Sequence, residues 1–446
     1  MFKNNKKFLI LLFIFAFIFR IIFFYFVTSQ NNNYWTSDSS AYHETALKIA
    51  SGYGIADINN QPDFYRLPGY SLFLATCYKL FNQNKIVALI IQILLSCFIP
   101  ILIFFLSLSL FSTNILLAKL AAIYSIFHMG FVIFSGLIMS ETLFIIFFLL
   151  FLIYFYKHFD NKKIFLAGLF LGLASYFRPV GQYVILLSIL ILILSNLSIK
   201  KKIYNSLLLF VGWFLIVFLW LLRNFVLTGC ICFHTLPGKH FLNHTACYIV
   251  MHRENLTYDQ AKTKLSQELT NIIKQEESKL KTELNSAQLC VLAEKLSYKY
   301  IYQEPKLFFI YSLTNMLKTA FLPFSEELLF MQTKNNFSIK YKIKNFLLPK
   351  LNNLFLNFYI YLEILFLIFL LLGFILFIIN YLLSFEYLKY AFLLKTVSFI
   401  FLFIFLSLAS GYARLRLPVE PLIFILSISY WLNFFKNRKL CLIKNF

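Results

Sequence analysis

Charge is scarce in this chain: only 13% of its 446 residues are Asp, Glu, Lys or Arg, and 19 acids face 41 basic residues. A soluble globular chain carries about 25% charge, so a water-solvated fold is excluded for most of the length. With 60% hydrophobic and 20% aromatic residues, the chain reads as one solvated by lipid. The net charge of +22 forms no basic stripe on a soluble fold, which excludes nucleic acid as a partner. Instead the lysines sit in short segments between apolar runs, where retention of cations on the cytoplasmic side accounts for them. A small-residue cleavage site is also missing. The basic stretch Met1 to Lys7 leads into an apolar run from Phe8 to Thr28, longer than the about 7–15 residues of a signal-peptide core. This run is read as a first membrane span entering from the cytoplasm.

Crossing about 30 Å of hydrocarbon takes about 20 apolar residues. Further runs are Ile86 to Phe111, Lys119 to Ile138, Thr142 to Tyr156, Ile164 to Phe177, Val180 to Leu197 and Ser206 to Leu222. Lysine-rich and lysine-poor turns alternate through them, a self-consistent topology. Residues 223 to about 305 are polar and of mixed charge, with helical patterning from Tyr258 to Tyr302. Phe355 to Ile379, Leu388 to Leu408 and Val419 to Phe435 then resume the spans. The expected fold is all-α and polytopic, with ten spans favoured in a range of about 10–12 and with juxtamembrane helices on the outer face. Its parts are an N-terminal transmembrane core (1–222) whose first outer loop is 29–85, an extracytoplasmic helical insertion and interfacial segment (223–353), and C-terminal spans with a basic cytoplasmic tail (354–446).

Polar residues gather at the outer ends of these spans. The first outer loop holds Ser37-Asp38-Ser39, then Tyr42, His43 and Glu44. Ala41, Thr45 and Ile49 recur at helical spacing, as in an amphipathic helix on the membrane surface. Asp38 suits an N-cap of that helix as well as a catalytic carboxylate. Arg66-Leu67-Pro68-Gly69-Tyr70 follows. An outward Asp-x3-Tyr-x3-Ala-x5-Gly-x-Gly followed by Arg-x-Pro-Gly-Tyr-x-x-Phe-Leu resembles bacterial glycosyltransferases of the protein O-mannosyltransferase type. That group includes the lipid A aminoarabinose transferases and shares the GT-C fold. Met139-Ser140-Glu141, Phe177-Arg178-Pro179, Trp220 to Asn224, Glu304-Pro305 and Arg414-Leu415-Arg416-Leu417-Pro418 continue the pattern in order. The resemblance covers residues from about 8 to 430.

It implies a hexosyl- or pentosyltransferase that moves a sugar from a polyprenyl-phosphate donor to a hydroxyl of a glycan, lipid or protein. The setting implied is a bacterial-type inner membrane, with the site on the extracytoplasmic side. The acid in the first outer loop, Asp38 here, serves as base. Many relatives have a second acid beside it, where this chain has Ser37 and Ser39.

The residue chemistry agrees. Displacing phosphate from an anomeric carbon needs a base for the incoming hydroxyl and cations for the departing phosphate. Arginine binds phosphate oxygens with a planar fork and stays charged beside lipid, which singles out Arg66, Arg178, Arg223, Arg414 and Arg416. Tyr42, His43 and Glu141 are expected to support them, with Glu141 holding an arginine. One carboxylate suffices for direct displacement, so inversion is expected. Arg20 and Glu363 lie inside spans and call for partners on other spans.

No metal site is assigned, and a divalent cation is left open as an assistant. The cysteines and histidines between Cys230 and His252 lack a standard zinc spacing. Other classes fit less well. A transporter or flippase of lipid-linked sugars tends to have repeated halves and a midplane site, and no repeat is visible. A ligase or polymerase of surface polysaccharide would take a larger, diphosphate-linked donor. An oligosaccharyltransferase would bring a Trp-Trp-Asp motif and a large soluble C-terminal domain, and neither is found.

Overall fold

The computed structural model describes residues 2–28, 34–56, 60–112, 114–156, 161–327, 354–383 and 387–444. Among them the chain is helical, and its one antiparallel bridge, Ala56 to Pro62, closes a short loop. Five helices are long and apolar enough to span a membrane: Asn5–Val27, Lys85–Leu110, Ile199–Thr228, Phe358–Leu383 and Leu417–Lys436. Shorter apolar helices cover Glu141–Tyr156 (α8), Gly181–Ile193 (α10) and Phe392–Phe405. Those long helices make this an integral membrane protein of all-α class.

Lipid solvation shows in which residues face outward. On α1 (Phe2–Phe23), Ile10, Leu11, Ile14, Phe15, Ile18 and Ile22 are exposed, while Leu9, Leu12, Ala16 and Arg20 are buried. Such a stripe would be an aggregation site in water. The apolar run Lys119 to Ile138 is not one straight span. Its helices α6 (Ile115–Phe127) and α7 (Met129–Ser135) meet at a 50° bend, where His128 takes an extended backbone. Gly130 lies just past the break, and a Cβ there would sit 2.5 Å from Leu417 Cδ1.

Helix α9 (Asn161–Phe177) packs backbone to backbone on α11 (Ile199–Thr228). Gly168 and Gly172 are one turn apart; Gly212 faces the first, and Trp213 and Ile216 face the second. A Cβ on Gly168 would fall 2.3 Å from Leu209 O, and one on Gly212 2.5 Å from Phe165 O. Small residues at this spacing let backbones approach, the usual route to tight packing in lipid.

The patterned stretch from Tyr258 is two helices, Tyr258–Leu280 and Ser286–Gln303, each opened by a capping box, Thr257 with Gln260 and Asn285 with Gln288. Their apolar faces bury Leu265, Leu296 and Tyr300 against Leu242, Ala246 and Ile249, forming a core of the insertion's own. The run from Leu307 is helical over Pro305–Phe321, and its continuation past residue 327 lies outside the described residues, as does the lysine-rich segment 334–350.

Candidate active site

Helix α2 (Ser39–Ala50) is seated by a hydroxyl pair. Thr36 N–H donates to Ser39 Oγ at 2.9 Å, and Ser39 Oγ donates to Ile138 O at 3.0 Å. Ile138 N–H donates to Tyr34 O at 3.0 Å, so the chain ahead of α2 is stitched to the loop before α8. Asp38 itself has helical dihedrals (φ −82°, ψ −20°) and makes no capping bond, so its carboxylate is not an N-cap and turns elsewhere.

It turns to two arginines. Arg66 Nη2 donates to Asp38 Oδ1 at 2.8 Å, and Arg414 Nη1 donates to Oδ2 at 3.0 Å. Arg66 reaches across from the loop before α3 (Pro68–Leu80), and Arg414 from the 3-10 turn Ala413–Leu415. Burial raises the Asp38 carboxyl, but Arg414 and Arg66 outweigh it and hold the group below its ordinary range. Tyr42, one turn along α2, accepts a long bond from Arg66 Nη1 at 3.4 Å and lies under its guanidinium at 4.7 Å. The Tyr42 hydroxyl donates to Ser140 Oγ at 3.2 Å. Arg66 Nε and Arg414 Nε are buried with no hydrogen-bond partner among the described residues.

The other expected residues separate. Glu141, 2% exposed at the start of α8, pairs with Arg178 Nη1 at 2.7 Å, so it does hold an arginine, and its Oε2 has no partner among the described residues. Arg223 spends its donors on two backbone carbonyls and a neighbouring side chain: Nη2 on Ile55 O at 2.9 Å, Nη1 on Asp63 O at 3.2 Å and on Asn224 Oδ1 at 2.9 Å. Arg416, 1% exposed, bonds Glu420 and donates to Thr319 O at 2.7 Å, Ala320 O at 2.6 Å and Leu322 O at 3.2 Å. Glu420 also faces His128 at 3.6 Å. His43 belongs to a separate group, with Nδ1 2.9 Å from the Tyr78 hydroxyl and its ring against Trp35. Among the described residues, Arg20 and Glu363 form no ion pair with a charge on another span. Arg20 Nη1 reaches Ala16 O at 3.3 Å in its own helix, while Glu363 accepts from Phe324 N and Ser325 N at 2.6 and 3.1 Å.

The sequence does not single out Asp63 or Glu327, and it offers His240 only within a cysteine and histidine stretch that lacks a standard zinc spacing. Asp63 accepts from Thr45 Oγ1 at 2.9 Å and Tyr65 N at 2.7 Å, and so orients the strand of chain that carries Arg66. His240 meets Ser410 Oγ at 3.0 Å; burial, with His244 and Arg414 adding, pushes its imidazole down to about 4 and keeps it neutral. Burial lifts the Glu327 carboxyl above its ordinary range, with Arg414 opposing. The only sequence signal for Glu327 was an adjacent acid pair, Glu326-Glu327, in a chain poor in acids. Guanidinium N–H groups take both Asp38 oxygens. Among the described residues no three His, Cys, Asp or Glu gather as metal ligands.

No protein-family description matches the chain, and no curated protein matches it. Among solved structures, ArnT from Cupriavidus metallidurans in the apo state is 11% identical with a TM-score of 0.36, over 88% of this chain and 72% of that one. The same protein bound to undecaprenyl phosphate gives 12% and 0.36, over 89% and 73%. At that identity and TM-score neither likeness bears on what this chain does. Fold and site together define a polytopic membrane protein with a carboxylate held between two arginines where several helices end.

Proposed function

We propose that this chain is a membrane glycosyltransferase of GT-C type. It moves a sugar from a polyprenyl-phosphate donor to an acceptor hydroxyl on the extracytoplasmic face of a bacterial-type inner membrane. The observation that carries this is the Asp38 carboxylate held by Arg66 and Arg414, two cations whose Nε–H groups are buried and unpartnered among the described residues. A lipid phosphate brings the oxygens those donors lack, and arginine forks bind phosphate well. As the phosphate draws the arginines, Asp38 loses the charges that hold its carboxyl low and becomes a better base.

In the chemical step the acceptor oxygen bonds to the anomeric carbon from the face opposite the phosphate, giving inversion. The carbon–phosphate oxygen bond breaks, its electron pair leaves with the polyprenyl phosphate, and the hydroxyl proton goes to Asp38. The leaving phosphate gains charge at the place where Arg66 and Arg414 are already ordered, the preorganisation that makes such stabilisation effective. Tyr42 keeps Arg66 in plane, and the Glu141–Arg178 pair borders the site.

The test is purified protein in liposomes containing polyprenyl-phosphate hexoses or pentoses, with a membrane extract as acceptor. Acceptor-dependent release of free polyprenyl phosphate is expected. Transbilayer movement of intact donor without release would sink the transferase reading in favour of a flippase.

A further inference from the structure

Arg66 and Arg414 both ride on non-helical or short 3-10 chain, and one stretch of the insertion touches both carriers. Thr235 N–H donates to Phe64 O at 2.8 Å, two residues before Arg66. Four residues on, the Lys239 ammonium lies over the Tyr65 ring at 5.2 Å, the same ring that the Arg66 guanidinium approaches at 5.4 Å. His240 then shares a hydrogen bond of 3.0 Å between its Nε2 and Ser410 Oγ, four residues before Arg414. Between these attachments runs a single short helix, Leu236–His240. At a rise of about 1.5 Å per residue the stretch 235–240 spans only about 7–8 Å.

The stretch is mounted firmly. Trp220 Nε1 on α11 donates to Phe233 O at 2.7 Å just before it. Gly238 lies so close to the helix Ser286–Gln303 that a Cβ there would fall 2.4 Å from Cys290 O. The chain it reaches is equally well held. From the helix Pro305–Phe321, the Tyr311 hydroxyl donates to Ala409 O at 3.1 Å and Asn315 Nδ2 to Leu408 O at 3.0 Å. A Cβ on Gly411 would meet Asn315 O at 2.5 Å. Burial keeps the His240 imidazole neutral, so its bond to Ser410 brings no third charge to the arginines.

Among the described residues, Asp38 is the one group that bonds both the Arg66 and Arg414 guanidiniums. A phosphate that draws both arginines off the carboxylate removes that link, and their spacing must then come from the chain that carries them. We propose that residues 235–240 form a strut between the two arginine carriers, with His240 the positioning residue that holds Arg414 within reach of the donor phosphate through Ser410. This deepens the glycosyl-transfer reading and rests on it. In this role His240 moves no proton and acts only through the segment leading to Arg414.

Two measurements on the full-length protein in liposomes test this. In the first, arginines are modified with phenylglyoxal, with and without saturating polyprenyl phosphate, and Arg66 and Arg414 are read separately by peptide mass spectrometry. Their side chains are 14% and 24% exposed, so both can react. Polyprenyl phosphate should protect both arginines in wild type, but only Arg66 in His240→Ala, and His240→Gln, which can still bond Ser410, should regain protection of Arg414. Protection of both arginines, or of neither, in His240→Ala overturns the strut. No protection of either in wild type overturns the phosphate site, and with it the glycosyl-transfer reading.

In the second, the affinity for polyprenyl phosphate is measured for His240→Ala, Ser410→Ala and the double variant. Ser410→Ala removes one hydroxyl and leaves the bonds of Tyr311 and Asn315 in place, so it serves even where His240→Ala does not fold. Each single variant should weaken binding by about 10-fold, the low end for a hydrogen bond to a charged group. The double variant should weaken it no further, because both changes break one bond. Unchanged affinity in Ser410→Ala, or losses that multiply in the double variant, overturns the strut.

Discussion

Arg414 and Arg416 stand two residues apart, and the structure assigns them opposite tasks, which a substitution at Arg416 can expose. Replacing Arg416 by Met keeps much of the stem's volume and removes the guanidinium. Three carbonyls, of Thr319, Ala320 and Leu322, then lose their donor, and among the described residues Glu420 keeps only His128 at 3.6 Å. Both Arg416 and Glu420 are at most 3% exposed, so water cannot substitute. Breaking a buried ion pair from one side costs about 3–5 kcal/mol, mostly through the charge left behind. Hydrogen bonds inside membranes average only about 0.6 kcal/mol by double-mutant cycles, so the stranded carboxylate dominates the loss. The double variant Arg416→Met/Glu420→Gln removes that charge and should recover a large part of it. Unfolding in bicelles titrated with denaturing detergent measures all three proteins. If Arg416→Met keeps wild-type stability within about 0.5 kcal/mol, the spread of a neutral surface substitution, and instead raises donor KM, Arg416 is a phosphate ligand and the structural argument is wrong.

Arg223 should behave in kind but more weakly. Arg223→Met frees Ile55 O and Asp63 O, at about 1–3 kcal/mol, and should speed amide exchange around Asp63 to Arg66. Unchanged exchange with weaker donor binding would contradict its placement. At Gly168, a leucine must displace the Leu209 carbonyl from 2.3 Å, so Gly168→Leu should abolish monodisperse protein on size exclusion, while Ala167→Gly should not. The clamp on Asp38 makes a pH prediction. Its carboxyl is held below the ordinary range, so its contribution is complete above the unfolded value and is lost as pH falls through the lowered one. The melting difference between wild type and Asp38→Asn should therefore be constant near neutrality and shrink below about pH 4. A difference that persists unchanged to pH 3 would refute the clamp.

Membrane class, helix positions and residue types at the site were legible because lipid solvation imposes long apolar runs and drives polar groups to their ends. The family resemblance pointed to Asp38 and the outward arginines included Arg66 and Arg414, but their meeting could not be read from the sequence. Arg414 lies 376 residues from Asp38, and no periodicity links them. Arg416 looked equivalent to Arg414 in the same Arg-x-Arg motif. Only the second 3-10 turn, Leu417–Val419, sends it into the bundle. The break at His128 escaped notice because the run around it is uniformly apolar, and tertiary contacts of Gly130 and Phe324 decide it. Asp38 as an N-cap followed from helix-start chemistry, and it fails because Ser39 and Thr36 tie down that turn while two guanidiniums compete for the carboxylate. Asp63 acts through folded geometry alone, on the neighbouring Tyr65 amide.

The most direct measurement of the central claim is acceptor-dependent release of polyprenyl phosphate in liposomes by wild type and Asp38→Asn, each checked for folding by size exclusion. The account predicts release by wild type and a loss of about 100-fold or more in Asp38→Asn, the scale of a missing general base. Equal release by both proteins would remove Asp38 from the centre of the reaction.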